Sequence, residues 1–204
     1  MKRWYLYLII GVLVLVLAAC GSTNDEQQNS ATDNNTSEEE TNGDTTGDPD
    51  NATKEEEVLV SLKDADNKVV GTATLTEGEN GVNIHLEGEN LSPGMHGFHI
   101  HEAGSCEAPD FKSAGGHFNP TNTNHGKDDP EGPHAGDLPN IEVAEDGTVN
   151  TEATAEMVTL EKGKDNSLYK DGGTALVIHA GEDDYQSQPS GDAGDRVACG
   201  VIEE

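Results

Sequence analysis

The sequence predicts an all-β domain, an antiparallel sandwich or barrel, preceded by a secretory leader and an acidic tether. Three observations carry that reading. Short stretches between residues 58 and 202 alternate apolar and polar side chains with the period of a half-buried strand. Gly and Pro cluster between these stretches, and none of them keeps a sustained helical repeat. The head of the chain is an apolar run ending in Cys20, followed by a polar segment without Val, Ile, Leu or aromatic residues.

Lys2 and Arg3 open the leader, Leu6 to Leu17 form its apolar run, and Leu17-Ala18-Ala19-Cys20 closes it. This is the pattern of a secretory signal, too short for an ordinary membrane span. Its ending resembles a bacterial lipobox, which implies a lipoprotein signal peptide over residues 1–20 with Cys20 acylated; an uncleaved membrane anchor is the alternative. The rest of the chain is then expected outside the cytoplasm, lipid-anchored to the bacterial cell membrane and facing an oxidising exterior. Residues 21–57 hold 12 acids and a single base, Lys54. Nothing in them offsets the entropy of ordering, so they read as a disordered tether.

Residues 58–204 are enough for one domain with its own core. Eight strands are expected in order: Val58–Leu62, Lys68–Thr76, Val82–Leu86, Gly94–His101, Ile141–Val143, Val149–Val158, Thr174–His179 and Arg196–Ile202. Two connections, Glu102 to about Pro139 and Ala180 to Asp195, are too long for turns and call for a stabiliser or a function. The whole chain has 40 acids against 11 bases, a formal net charge of −29. That balance excludes nucleic-acid binding, which needs clustered Lys and Arg. No apolar surface stripe decides the oligomeric state; a monomer is favoured, with a dimer as the alternative.

With Cys20 assigned to the lipid, Cys106 and Cys199 remain. A bridge between them would close a loop of about 94 residues and stabilise by roughly 4–5 kcal/mol on the chain-entropy model. Two free thiols or two thiolate metal ligands are the alternatives.

The histidines carry the chemistry. His99 and His101 sit at alternate positions of one strand, so both rings share a face, with Phe98 and Ile100 on the other. His96 falls on the opposite face and His85 towards solvent, which leaves both outside a metal cluster. His117, His125, His134 and Asp137 lie within one Gly/Pro-rich loop. Three imidazoles and a carboxylate make a closed tetrahedral zinc set, around which such a loop could fold. His179 ends an apolar strand and is a further candidate beside His99 and His101.

The segments GFHIHEAGSC, SAGGHFNP, GPHAGDLPN, ALVIHAGEDD and AGDRVACGVI, in this order, resemble the copper/zinc superoxide dismutase family. The resemblance covers about residues 58–204 and implies a flattened eight-stranded Greek-key β-barrel, an immunoglobulin-like sandwich, with two active-site loops. It implies one copper per chain on His99, His101, His117 and His179. It implies one zinc per chain on His117, His125, His134 and Asp137, so that His117 bridges the two ions and acts in catalysis. Asp183 matches the carboxylate linking a copper His to a zinc His, Arg196 the active-site Arg, and Cys106 with Cys199 the disulfide. The implied substrate is superoxide, converted to dioxygen and hydrogen peroxide. The second loop has no Lys and Asp195 adjoins Arg196, so weak electrostatic steering is expected.

Overall fold

The computed structural model describes residues 57–204. The segment expected as a signal peptide with Cys20, and all of the expected tether but Glu57, lie outside the described residues. Nine strands form: β1 (Glu57–Asp64), β2 (Val69–Gly78), β3 (Gly81–Gly88), β4 (Gly94–His96), β5 (Phe98–His101), β6 (Ile141–Val143), β7 (Val149–Ala155), β8 (Thr174–His179) and β9 (Arg196–Ile202). The only helical turn among the described residues is a 3-10 turn at Lys112–Ala114.

A seven-stranded antiparallel sheet runs in the order β5-β8-β9-β1-β2-β3-β7, and β4 pairs with β6. Alternation decides the inward face. In β2, Val70, Ala73 and Leu75 are buried while Thr72, Thr74 and Thr76 face outward. β8 is buried along its whole length. Its Leu176 and Ile178 enter the main core with Phe98, Ile100, Leu62 and Leu86. Its Ala175 and Val177 pack on Phe111, Ala114 and Cys199 in a smaller core beneath the first long loop. Each fully buried Leu, Ile or Phe of this set contributes about 1.5–3 kcal/mol.

Two elements differ from the sequence reading. The stretch Gly94–His101 is two strands, because Gly97 carries the chain from the β4–β6 pair to the edge of the large sheet. The Gly97 N–H donates to the Gly181 carbonyl at 2.7 Å, and its carbonyl accepts from His179 at 2.8 Å. A Cβ there would stand 2.9 Å from the Ala193 Cβ and 3.0 Å from the His99 ring, so only glycine fits. β7 ends at Ala155 rather than Val158, which leaves a third long connection, 156–173. It is pinned by the fully buried Leu168, and the Glu77 carboxylate accepts from Thr159 Oγ1 and the Leu160 N–H.

Cys106 and Cys199 form a disulfide between the first long loop and β9. A register shift between Ile178 and His179 brings His179 opposite Arg196 on β9. Alternation puts His179 on the face of Ala175 and Val177, away from the main core, and the bulge sets it against Arg196.

Candidate metal centre

β5 delivers two rings by strand alternation. Phe98 and Ile100 go into the core, and His99 and His101 go to the other face, each buried to 1% exposure or less. The first long loop folds back along β5. The Phe118 N–H donates to the Ile100 carbonyl at 2.8 Å, and the Ile100 N–H donates to Gly136 at 2.9 Å. This pairing sets His117 opposite His101 and Asp137 opposite His99. β8 supplies His179 and the loop after it supplies Asp183.

Two clusters result. His99, His101, His117 and His179 form one, His117, His125, His134 and Asp137 the other, each with its ligand atoms within 4.8 Å of one another. His117 belongs to both. The ring partners fix which nitrogen of each imidazole is the acceptor, because a neutral ring has one N–H and one lone pair. His99 Nε2 lies 2.7 Å from Asp183 Oδ2 and is the donor, so its lone pair is on Nδ1. His101 Nδ1 lies 3.0 Å from the Gly115 carbonyl and His179 Nδ1 lies 3.2 Å from the Gly194 carbonyl. Their Nε2 lone pairs therefore face each other, 3.3 Å apart. His99 Nδ1 and His117 Nε2 are buried with no hydrogen-bond partner. Four lone pairs converging in a buried space are unfavourable alone and suit one cation.

The second cluster reads the same way. Asp137 Oδ1 lies 2.8 Å from His117 Nδ1 and 3.2 Å from His134 Nδ1, and Oδ2 lies 3.0 Å from His125 Nδ1. Oδ2 also accepts main-chain N–H groups from Gly126 at 2.8 Å and His134 at 3.0 Å. His125 Nε2 points at Asp183 Oδ1, 3.0 Å away, which leaves His125 Nδ1 buried without hydrogen-bond geometry to any partner. A cation between these groups satisfies them, and the donor set of three nitrogens and a carboxylate fits zinc.

Burial lowers the His101 pKa to about 2, helped by the charges of His117 and Arg196. Burial likewise brings His117 to about 4 and His179 to about 3. These rings stay neutral at neutral pH and keep a lone pair for a cation. At His125 burial also acts downward, but Asp137 and Asp183 outweigh it and raise the pKa to about 9. Burial opposes the ionisation of Asp137 and Asp183, yet hydrogen bonds from the histidines hold both well below the usual carboxylate range. The two carboxylates thus call for positive charge here, as a proton on His125 or as a metal ion at its Nδ1.

On the side of the first cluster a cavity of about 440 Å³ opens, lined among others by His101, His117, His179, Asn122, Ser190 and Arg196. Arg196 donates from its two terminal nitrogens to the carbonyls of Phe111 and Gly115, each at 2.6 Å, which fixes the guanidinium plane beside the cavity. The Gly115 carbonyl also receives His101 Nδ1, so the Arg and a ligand ring share one anchor.

The structure brings His99, His101, His117, His179, His125, His134 and Asp137 into two adjoining clusters, with Asp183 bonded to His99 and His125 and Arg196 sharing the Gly115 carbonyl with His101. His96 lies outside both clusters but is fully buried, with ring nitrogens 2.7 Å from the carbonyls of His179 and Ser92. His85 is half-buried on the outer face of β3, 3.1 Å from Asn150 Oδ1. Sequence reasoning missed Asn140, whose side-chain amide accepts from the Asp183 N–H at 2.9 Å and donates to its carbonyl at 2.8 Å. It missed Tyr185, whose hydroxyl accepts the Asn140 N–H at 2.7 Å. It also missed Gly191, where a Cβ would collide with the Asp183 carboxylate and stand 2.7 Å from His125 Nε2. No periodicity announces these residues, since their contacts cross between loops.

This fold and donor set define an all-β domain with two adjoining clusters that could each hold a metal ion, beside a cavity lined by Arg196 and Glu102. The family model described as copper/zinc superoxide dismutase matches residues 69–202, and the chain belongs to that family. A copper/zinc superoxide dismutase of Aquifex aeolicus is 57% identical over 134 residues, 65% of this chain and 79% of that one. The crystal structure of a superoxide dismutase-like protein from Bacillus subtilis superposes with TM-score 0.69 at 44% identity, covering 71% of this chain and 97% of that one. The copper/zinc superoxide dismutase of Brucella abortus superposes with TM-score 0.59 at 36% identity, covering 72% and 100%.

Proposed function

We propose a division of labour between the two clusters of this superoxide dismutase. His99, His101, His117 and His179 hold copper, and His117, His125, His134 and Asp137 hold zinc, one of each per chain. The observation that carries the assignment is the His117 ring, common to both clusters, with one nitrogen facing each. Bound copper supplies one-electron cycling, by which one superoxide leaves as dioxygen and a second, with two protons, as hydrogen peroxide.

The chain's residues do the rest. His117 Nε2 has no protein partner and its residue lines the cavity, so whenever this nitrogen is not ligating a metal it is the atom that would hold a proton and pass it to the departing peroxide. Its Nδ1 is kept by Asp137 and the zinc position, which prevents the ring from turning away. Arg196 keeps unspent N–H donors beside the cavity and orients the anion. Asp183 carries a carboxylate oxygen to each cluster, fixing His99 and His125 together.

Metal analysis with an activity assay tests this. One copper and one zinc per chain with turnover is the expected result; zinc alone without turnover overturns it.

The leader and Cys20 support a bacterial lipoprotein anchored outside the cytoplasm, and residues 21–57 support a tether. Mass spectrometry of the mature N-terminus tests that; an unprocessed Met1 or an unmodified Cys20 overturns it. The exposed large apolar side chains among the described residues, Leu59, Val69, Met95 and Met157, lie on three strands and a loop, which supports a monomer. Sedimentation equilibrium of the soluble domain checks it, and a dimer mass contradicts it.

A further inference from the structure

The loop from Ala180 to Asp195 leaves the copper-side cluster at His179 and returns to it at Arg196. Midway it grips the other cluster. Gln188 Oε1 accepts the His125 N–H at 2.9 Å, and Gln188 Nε2 donates to the His125 carbonyl at 2.9 Å. A side-chain amide thus supplies both halves of a strand-like pairing to a residue that lies in no strand. No backbone partner for either His125 main-chain group occurs among the described residues.

His125 is fully buried. Asp183 holds the ring end of this residue, through Nε2, and Gln188 holds its main chain. Two fixed ends leave little freedom in where Nδ1 points. The amide is itself steadied, with Nε2 3.1 Å from the Gln186 carbonyl and 3.4 Å from Asp129 Oδ2. The turn around it is closed by Gly191 N–H to the Ser187 carbonyl at 2.7 Å.

We propose that Gln188 is a positioning residue for the zinc-side cluster, which by holding both main-chain groups of His125 aims Nδ1 at the ion and slows the ion's release. The inference rests on the reading of His117, His125, His134 and Asp137 as the zinc site. Gln188 is exposed, so water competes for its bonds, and the effect falls on the geometry and lifetime of the site rather than on whether the chain folds. Outer partners of metal ligands typically act on affinity by a factor of about 10–100, and an exposed one belongs at the low end.

The test uses the full chain with copper in place and cobalt(II) at the zinc position. The cobalt d–d absorption reports site geometry, and transfer to a chelator at neutral pH reports the release rate. Gln188→Ala is expected to change the cobalt bands and speed release about tenfold, with the copper visible band unchanged. Gln186→Ala, an exposed neighbour in the same turn, is expected to stay within about twofold of the unsubstituted chain, well below that factor. Gln188→Glu keeps the acceptor for the His125 N–H but sets a charge against the His125 carbonyl and Asp129. It should release cobalt at least as fast as Gln188→Ala, and adding Asp129→Asn should slow it again, a response that mere filling of space does not give.

The proposal fails if Gln188→Ala releases cobalt within about twofold of the unsubstituted chain, or if Gln186→Ala matches it. It fails equally if copper and cobalt loosen together. Absence of a tetrahedral cobalt spectrum in the unsubstituted chain overturns the zinc-site reading and the role of Gln188 with it. A normal cobalt spectrum indifferent to Gln188 overturns the Gln188 role alone.

Discussion

Four ligand rings, His99, His101, His125 and His179, carry a partner on the far nitrogen, and that partner decides what the near nitrogen does. The Gly115 carbonyl turns His101 Nε2 into a lone pair, the Gly194 carbonyl does so for His179, and Asp183 does so for His99 Nδ1 and His125 Nδ1. Roles at this scale therefore separate. His179→Ala is expected to remove copper and activity while the zinc loop stays folded. Asp137→Ala should weaken zinc first, because one carboxylate serves three rings and two main-chain N–H groups. Arg196→Ala should keep both metals and lower kcat/KM roughly ten- to a hundredfold, the worth of a hydrogen bond to an anion. Metal content and steady-state rates of the three variants check this; equal loss of both metals in all three contradicts it.

Between strands and loops the fold works by tying irregular segments to a rigid sheet. The first long loop borrows its order from β5, through the Ile100 pairings, and from β9, through Cys106 and Cys199. The same stretch presents the Phe111 and Gly115 carbonyls that hold Arg196. Replacing both cysteines with Ser is expected to lower unfolding free energy by roughly 4–5 kcal/mol and to depress kcat/KM with zinc retained. Denaturant midpoints and rates measure this; unchanged stability contradicts it. Much at this scale was legible in the residues. Alternation placed the strands and set His99 and His101 on one face, because strand geometry is local. Gly97 was not legible as a strand break, because the reason for it is the neighbouring Ala193 and the His99 ring. The connection 156–173 was partly hidden for a related reason: Glu77 bonds it from β2, and its Leu168 packs into the main core. Asn140, Tyr185, Gln188 and Gly191 escaped because each bonds or crowds a residue of the other loop or of the Asp183–His125 pair. Spacing along the chain shows no such contact.

The whole molecule is an anion-handling catalyst in an acidic shell. Residues 58–204 carry 28 acids against 8 bases, and Lys112, near Arg196, is paired with Asp110 at 2.7 Å. Steering is therefore expected to be weak: kcat/KM should vary by less than about threefold between roughly 0.01 and 0.15 M salt, and a steep fall contradicts this. Acid acts through the buried rings. His101, His117 and His179 have folded pKa values of about 2, 4 and 3, below the ordinary 6.5, so below that value the unfolded chain binds more protons than the folded one. His125, raised to about 9, works in the opposite direction but alone, and its contribution is lost only as pH rises through that value. Three depressed groups outweigh one raised group, and the metal-free protein should lose stability as pH falls from about 6.5 towards 4. Thermal unfolding of the metal-free form across that range checks the sign; a flat or rising melting temperature contradicts it.

The most direct measurement is a crystal structure of the copper- and zinc-loaded protein with anomalous maps at both metal edges. Two peaks are expected on either side of the imidazole of His117, copper against Nε2 and zinc against Nδ1. A ring bound to a single ion, or turned away from both, contradicts the assignment of a shared bridge.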